Sequence, residues 1–178
     1  AILALITKSA NDASTALAEH LGGSEEAFAR AMTAKARQLG MNSTTFKNAH
    51  GLPDSAQKTT ARDMARLGIA LREHFPQYYD YFSTRHFTFN GSRINGDNNL
   101  LGRVKGVDGI KTGYIRASGF NLVSSLQTGG KSIVAVVMGG RTARSRDAHM
   151  TDLIQRTLPH ASTGADSMLI AKAPSAHP

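Results

Sequence analysis

"GVDGIKTGYIRASGFNLVSSLQTGGKSIVAVVMGG", residues 106–140, decides how this chain folds. Three pieces of it, "GIKTGYI", "GFNLVSSL" and "KSIVAVVMGG", read as strands, rich in β-branched, aromatic and aliphatic residues. The last two are separated only by "QTGG", a glycine turn that makes them an antiparallel hairpin. Lys111, Thr112 and Gly113 break the apolar pattern of the first strand. A lysine, a hydroxyl and a bare glycine make a poor core. They make a good edge for holding an anion while a ligand backbone lies close.

Upstream of these strands the period changes. Leu17 and Leu21 sit four apart, which predicts a short helix over 12–21. Ser24 caps a second helix, with Glu25 and Glu26 in its positive first turn. Its apolar stripe runs through Phe28, Ala31, Met32, Ala36 and Leu39, and Gly40 ends it. Residues 41–58 hold Asn, Ser, Thr, Gly and Pro and read as a long loop. Thr60 and Asp63 have capping spacing, Met64, Leu67 and Leu71 form the next stripe, and Pro76 stops that helix. "RHFTFNGSRI" reads as a hairpin around Asn90-Gly91. "RTARSRDAHMTDLIQRTL" closes with a helix carrying Met150, Leu153, Ile154 and Leu158. Helices, then strands, then one helix predict an α/β chain of the α+β kind: one domain with an antiparallel sheet flanked by helices. Residues 1–159 belong to it. Residues 160–178, rich in Ala, Ser and Pro, are expected to be a disordered tail.

The 178 residues are 40% hydrophobic and 19% charged, enough for a real core. The net charge of +8 favours anionic partners: nucleic acid, acidic lipid or an acidic cell-wall polymer. Lys and Arg are scattered, however, and a generally basic surface explains the charge equally well. The absence of cysteine excludes disulfides, zinc thiolates and thiol nucleophiles. No apolar run approaches the ~20 residues that span a bilayer. "AILALI" (1–6) lacks the charged lead-in and cleavage site of a signal peptide and reads as a buried segment whose beginning is cut off.

Two short motifs carry chemistry: Ser9-Ala10-Asn11 and Lys111-Thr112-Gly113. Alone, each has a plain structural account. Ser9 and Asn11 could cap the following helix, and Lys111 could be a solvated strand residue. Together and in this order they resemble two parts of the signature Ser-x-x-Lys, Ser-Asp-Asn and Lys-Thr-Gly, shared by penicillin-binding proteins and class A β-lactamases. The surrounding text, "NAHGLPD", "TTARDMARLG", "FTFNG", "VDGIKTGYIRASGFNLVSS" and "VAVVMGGRTARSRDAHM", closely resembles the D-alanyl-D-alanine carboxypeptidases, low-molecular-mass penicillin-binding proteins that trim peptidoglycan stem peptides. The resemblance covers about residues 1–158.

That resemblance implies a β-lactamase/transpeptidase-like fold and a set of roles. Ser9 would shuttle a proton toward the leaving amine. Asn11 would orient the catalytic lysine and the substrate carbonyl. Lys111 would supply charge beside Ser9 and attract the substrate carboxylate, to which Thr112 would donate its hydroxyl. Gly113 would let an extended peptide lie on the strand edge. The backbone N–H of Tyr114 would form half of an oxyanion hole. Arg146 would face the terminal carboxylate, from a helix following a strand expected to lie beside the Lys-Thr-Gly strand. His50 matches a loop histidine near the site, where holding its own loop is an equal alternative. The implied partners are a stem peptide ending in D-Ala-D-Ala and β-lactam inhibitors, in a periplasmic or extracytoplasmic setting. No cofactor, metal or nucleic acid is implied.

The acylated serine and its lysine, Ser-x-x-Lys, should lie well before Ser9. Ser55-Ala-Gln-Lys58 matches formally, but it lies between the other motifs and in a loop. The chain is therefore expected to be the C-terminal part of a catalytic domain, with the nucleophile, some strands and a signal peptide in a missing N-terminal segment that would be its partner. Two alternatives are a β-lactamase and a non-catalytic binder of peptidoglycan or nucleic acid. Against the first, the middle motif is Ser-Ala-Asn and residues 41–58 contain no glutamate. Against the second, aromatic residues are only 6% and do not interleave with basic ones.

Overall fold

The computed structural model describes residues 1–163 and 168–170. The three expected strands form one antiparallel sheet: β3 (Val107–Ile115), β4 (Gly119–Thr128) and β5 (Lys131–Gly140), in the order β3-β4-β5. Before them come α1 (Ile2–Lys8), α2 (Asn11–Gly22), α3 (Glu25–Gln38), α4 (Ala61–His74), a 3₁₀ segment (Pro76–Ser83) and the hairpin β1 (His86–Phe89) and β2 (Ser92–Asn95). After them comes α5 (Ala143–Thr157). Asn90 and Gly91 turn the small hairpin with φ of 47° and 74°, a left-handed pair that Asn-Gly adopts at low cost.

The sheet is buried on both faces, which explains the near-continuous apolar run of β4 and β5. Leu122, Leu126 and Val137 point to α5 and pack with Met150 and Ile154. Val123, Val134 and Val136 point the other way, with Ile110 and Tyr79, and meet Met64 and Leu71 of α4. Alternation along β4 divides the two sets, as the pleat requires. The contact with α4 is close at Gly68. A Cβ placed there would lie 2.9 Å from both Ile110 Cδ1 and Val134 Cγ1.

The caps follow the sequence. Ser24 accepts from the Ala27 N–H at 3.1 Å and Thr60 from the Asp63 N–H at 3.1 Å. The Asp63 carboxylate does not turn back on its own cap. It accepts from Ser43 N–H (2.9 Å) and Thr44 Oγ1 (2.7 Å), and so ties the 41–58 loop to α4.

Three expectations change. "AILALI" is a helix whose apolar side chains are half-buried to exposed, Ile2 being 55% exposed; only Thr7 of α1 is buried. Among the described residues α1 packs against α2, the β1–β2 hairpin, the 3₁₀ segment and β3. The strand before Arg146 does not lie beside the Lys-Thr-Gly strand. β4 intervenes, because both tight turns place sequential strands next to each other. Of the tail read as disordered, residues 164–167 and 171–178 lie outside the described residues, while Ile170 packs against α3 and α4. No helix among the described residues is long and apolar enough to cross a membrane.

Candidate active site

Ser9 closes α1 as its C-cap in the left-handed region, φ 54° and ψ 43°, with its N–H on Leu5 O at 3.1 Å. A non-glycine residue there is strained, and such strain collects at functional sites. Two contacts hold the segment in place. The N–H of Asp97 donates to Thr7 O at 3.2 Å, and Lys8 Nζ donates to Asp97 Oδ1 at 2.9 Å. The loop after β2 therefore clamps the residues just before Ser9.

Lys111 reaches this strained turn from β3. Its ammonium donates to Ser9 Oγ and to Thr112 O, the latter at 2.7 Å. Burial pushes the Lys111 pKa down from the ordinary 10.5. The Asp97 carboxylate opposes that shift and the Arg146 guanidinium adds to it. A lysine poised in this way loses its proton more readily than a solvated one, which suits proton traffic at the Ser9 hydroxyl.

Among the described residues β3 is an edge strand of its sheet, and its second edge pairs with no strand there. Gly113 sits on it with open space where a Cβ would project. Tyr114 is 59% exposed and its ring lies 4.3 Å from that of Phe120, its cross-strand partner. At the base of β3 a bulge turns Asp108 toward α4. There its two oxygens accept from Arg72 Nη2 at 2.7 and 2.6 Å, and Ser125 Oγ donates to Oδ1 at 2.6 Å. Tyr79 donates to Ser125 Oγ at 2.8 Å and lies under the Arg72 guanidinium, and burial pushes its hydroxyl pKa up. This network fixes the height of the strand that carries Lys111.

Arg146 is 3% exposed and lies in the first turn of α5. Its Nε and Nη2 donate to Asp147 Oδ1 at 3.0 and 2.7 Å, and Nη1 donates to Asn121 O at 3.2 Å. Asn121 is the register partner of Gly113, so Arg146 holds β4 at the residue paired with the Lys-Thr-Gly strand. Gly140 makes room for it: a Cβ there would lie 2.8 Å from Arg146 Cβ. Three of the five guanidinium N–H groups are engaged, which leaves two for a further acceptor.

Asn11 is exposed in the first turn of α2, two residues from Ser9. His50 behaves as a loop holder. Its Nδ1 accepts from the Leu52 N–H at 3.1 Å and its Nε2 pairs with Glu25 Oε1 at 3.2 Å. The same loop is pinned to α2 by Ser14 Oγ, which donates to Ala49 O at 2.7 Å. Ser55 and Lys58 are exposed and non-helical, Lys58 lying in an isolated bridge to Thr45. Nothing there activates a serine.

The structure thus joins Ser9, Lys111 and Arg146 around one edge strand, with Asn11 beside Ser9. The sequence reading missed Asp97, Asp108 and Arg72. Their oppositely charged partners lie 36 to 89 positions away, and no local pattern records such pairs.

Comparison with known proteins gives the arrangement a context. The family model described as D-alanyl-D-alanine carboxypeptidase matches residues 2–142. "D-alanyl-D-alanine carboxypeptidase DacA" of Escherichia coli K12 is 40% identical over 148 residues, which cover 83% of this chain and 37% of that protein. Penicillin-binding protein 5 from Haemophilus influenzae superimposes with a TM-score of 0.84 at 36% identity, covering 88% of this chain and 46% of that one. Penicillin-binding protein D2 from Listeria monocytogenes, in its cefotaxime-bound form, gives 0.79 at 32% identity, covering 86% and 63%. The chain thus spans little more than a third of the curated relative's length. With the matched region containing Ser9, Asn11 and the Lys-Thr-Gly strand, this chain belongs to the D-alanyl-D-alanine carboxypeptidase family.

Proposed function

We propose that this chain supplies the Ser9–Lys111 side of a serine-type D-Ala-D-Ala carboxypeptidase site. The observation that carries the reading is the hydrogen bond between Lys111 and Ser9, which unites the two family motifs at a strained turn beside an open strand edge. The acylated serine and its lysine base belong to sequence beyond these 178 residues, and the complete domain comprises more than residues 1–159.

In this reading the stem peptide lies antiparallel or parallel along β3, its backbone against Gly113. Thr112, Lys111 and the two remaining N–H groups of Arg146 receive its terminal carboxylate. The serine nucleophile attacks the carbonyl of the penultimate D-alanine and the C–N bond to the terminal D-alanine breaks. The proton lost by the nucleophile reaches the leaving nitrogen through the Ser9 hydroxyl, which the Lys111 ammonium polarises. The amide of Asn11 orients the substrate carbonyl, and the Tyr114 N–H stabilises the oxyanion. Water then releases the acyl group. A β-lactam, whose carboxylate and strained amide imitate the peptide end, acylates the same serine and inhibits. Such chemistry belongs outside the cytoplasm, where peptidoglycan lies.

The test uses the complete protein. Incubation with a peptide ending in D-Ala-D-Ala should release one D-alanine per peptide, and labelled penicillin should add one equivalent of mass. Lys111→Ala should suppress both. Full activity in Lys111→Ala, or failure of the wild type to take up penicillin, would remove the assignment.

A further inference from the structure

We infer that the last turn of α4 is a docking site for the chain's own tail, with residues 168–170 as its occupant. The occupant is unusual within its stretch. Met168-Leu169-Ile170 is the only run of large apolar residues between 160 and 178, where Ala, Ser and Pro dominate. The site reads its backbone. Glu73 Oε1 accepts from the Leu169 N–H at 2.8 Å and Oε2 accepts from the Ile170 N–H at 2.9 Å. His74 Nε2 meets Ile170 O at 2.8 Å. Two successive N–H groups therefore converge on one carboxylate, a nest around an anion, and the next carbonyl is taken by the neighbouring side chain.

The side chain of Ile170 completes the match. It is 6% exposed and packs with Ala36, Leu39, Met41 and Ala70. Leu169 and Met168 stay largely outside. Ala36, Leu39 and Met41, which Ile170 packs against, also line an apolar groove of about 360 Å³ that continues to Phe28, Met32 and Phe46.

Glu73 itself argues for an occupant. It is the second-last residue of α4, where the helix dipole disfavours negative charge. The two tail amides supply the positive dipoles that this position otherwise lacks. Ile170 sits beside the C-terminal turn of α4, the turn whose Arg72 holds Asp108 at the base of the Lys111 strand.

Amide hydrogen exchange on the complete protein tests this. The Leu169 and Ile170 amides should exchange at least about 10-fold more slowly than an unstructured chain of the same sequence. Ile170→Asp should bring both to unprotected rates. Glu73→Gln keeps the shape but leaves one oxygen to accept, so protection should fall at Leu169, Ile170 or both. The amides of Ala70 and Leu71 inside α4 should stay protected in both variants, which separates tail release from unfolding. Unprotected tail amides in the wild type, or protection that survives Ile170→Asp, overturns the docking. Protection unchanged in Glu73→Gln overturns the carboxylate clamp.

Discussion

Ser9 and Lys111, 102 positions apart in the chain, share a hydrogen bond in which the lysine ammonium donates to a hydroxyl held on a left-handed backbone. The strain and the function concern the same residue, and two substitutions separate them. Ser9→Ala in the complete protein removes the hydroxyl, and kcat for release of D-alanine should fall by about 10²–10⁴, with KM changed much less. Ser9→Gly should show the same loss while relieving about 1 kcal/mol of backbone strain, so its Tm should rise. A Ser9→Gly protein with a lowered Tm would mean that the turn needs the side chain for folding.

The lowered pKa of Lys111 gives a pH signature. Between its folded value and 10.5 the unfolded chain holds a proton that the folded chain has lost. Stability should therefore rise with pH across that window, relative to Lys111→Met, and the full cost of the buried charge should be present below it. Asp97 is the group that opposes the shift. In Asp97→Asn the Lys111 transition, followed by NMR at its ε-methylene, should move further down in pH. A transition that stays put or rises would show that the carboxylate acts only through Lys8.

Ser55 should be dispensable. It is exposed, in a turn, and lacks a helical lysine partner. Ser55→Ala should leave penicillin uptake by the complete protein unchanged, and mass mapping should find no adduct on the peptide containing Ser55. An adduct there would make the formal Ser55-Ala-Gln-Lys58 match a true nucleophile motif.

Gly68 sets the spacing between α4 and the sheet. Its missing Cβ would meet the branched ends of Ile110 and Val134, both held in a packed layer. Gly68→Ala gains helix propensity of about 1 kcal/mol but overpacks that layer at about 1–3 kcal/mol. The net should be a lower Tm in thermal unfolding. A higher Tm would show that α4 can move away from β3 without cost.

Much of this was legible in the sequence, for definite reasons. Caps and periods are local, so Ser24, Thr60, Asn90-Gly91 and the "QTGG" turn announce their elements. The pairing of Ser9 with Lys111 is not local, and only the order of two motifs suggested it. Nothing in the sequence suggested Asp97 clamping Lys8 or Asp108 binding Arg72, because an ion pair between distant residues leaves no periodicity. Strand order was missed at Arg146 for a related reason. A helix after β5 looks close to β3 until β4 is seen between them. The tail's composition gave no sign that Ile170 is buried, since an average over Ala, Ser and Pro conceals one apolar residue.

Arg146 offers the sharpest test of the carboxylate assignment. It is buried, yet its charge is only partly satisfied, by Asp147 and the Asn121 carbonyl. A guanidinium placed in the first turn of a helix stands against the dipole, and a ligand anion would stabilise it there. A hydrogen bond to a charged group contributes about 1.5–3 kcal/mol, so Arg146→Ala should lower kcat/KM on a D-Ala-D-Ala peptide by roughly 10–150-fold. Removing it also leaves the Asp147 carboxylate, among the described residues, with the Asn99 amide alone, which adds a loss from the fold. Amidating the peptide's terminal carboxylate separates the two effects. The amidated peptide lacks the interaction already, and Arg146→Ala should cost it little. Measuring both peptides on both proteins closes a cycle whose coupling term belongs to the carboxylate contact. Equal losses on the two peptides would assign Arg146 to the packing of α5 against β4, and the carboxylate would need another receptor, for which Lys111 and Thr112 are the remaining candidates.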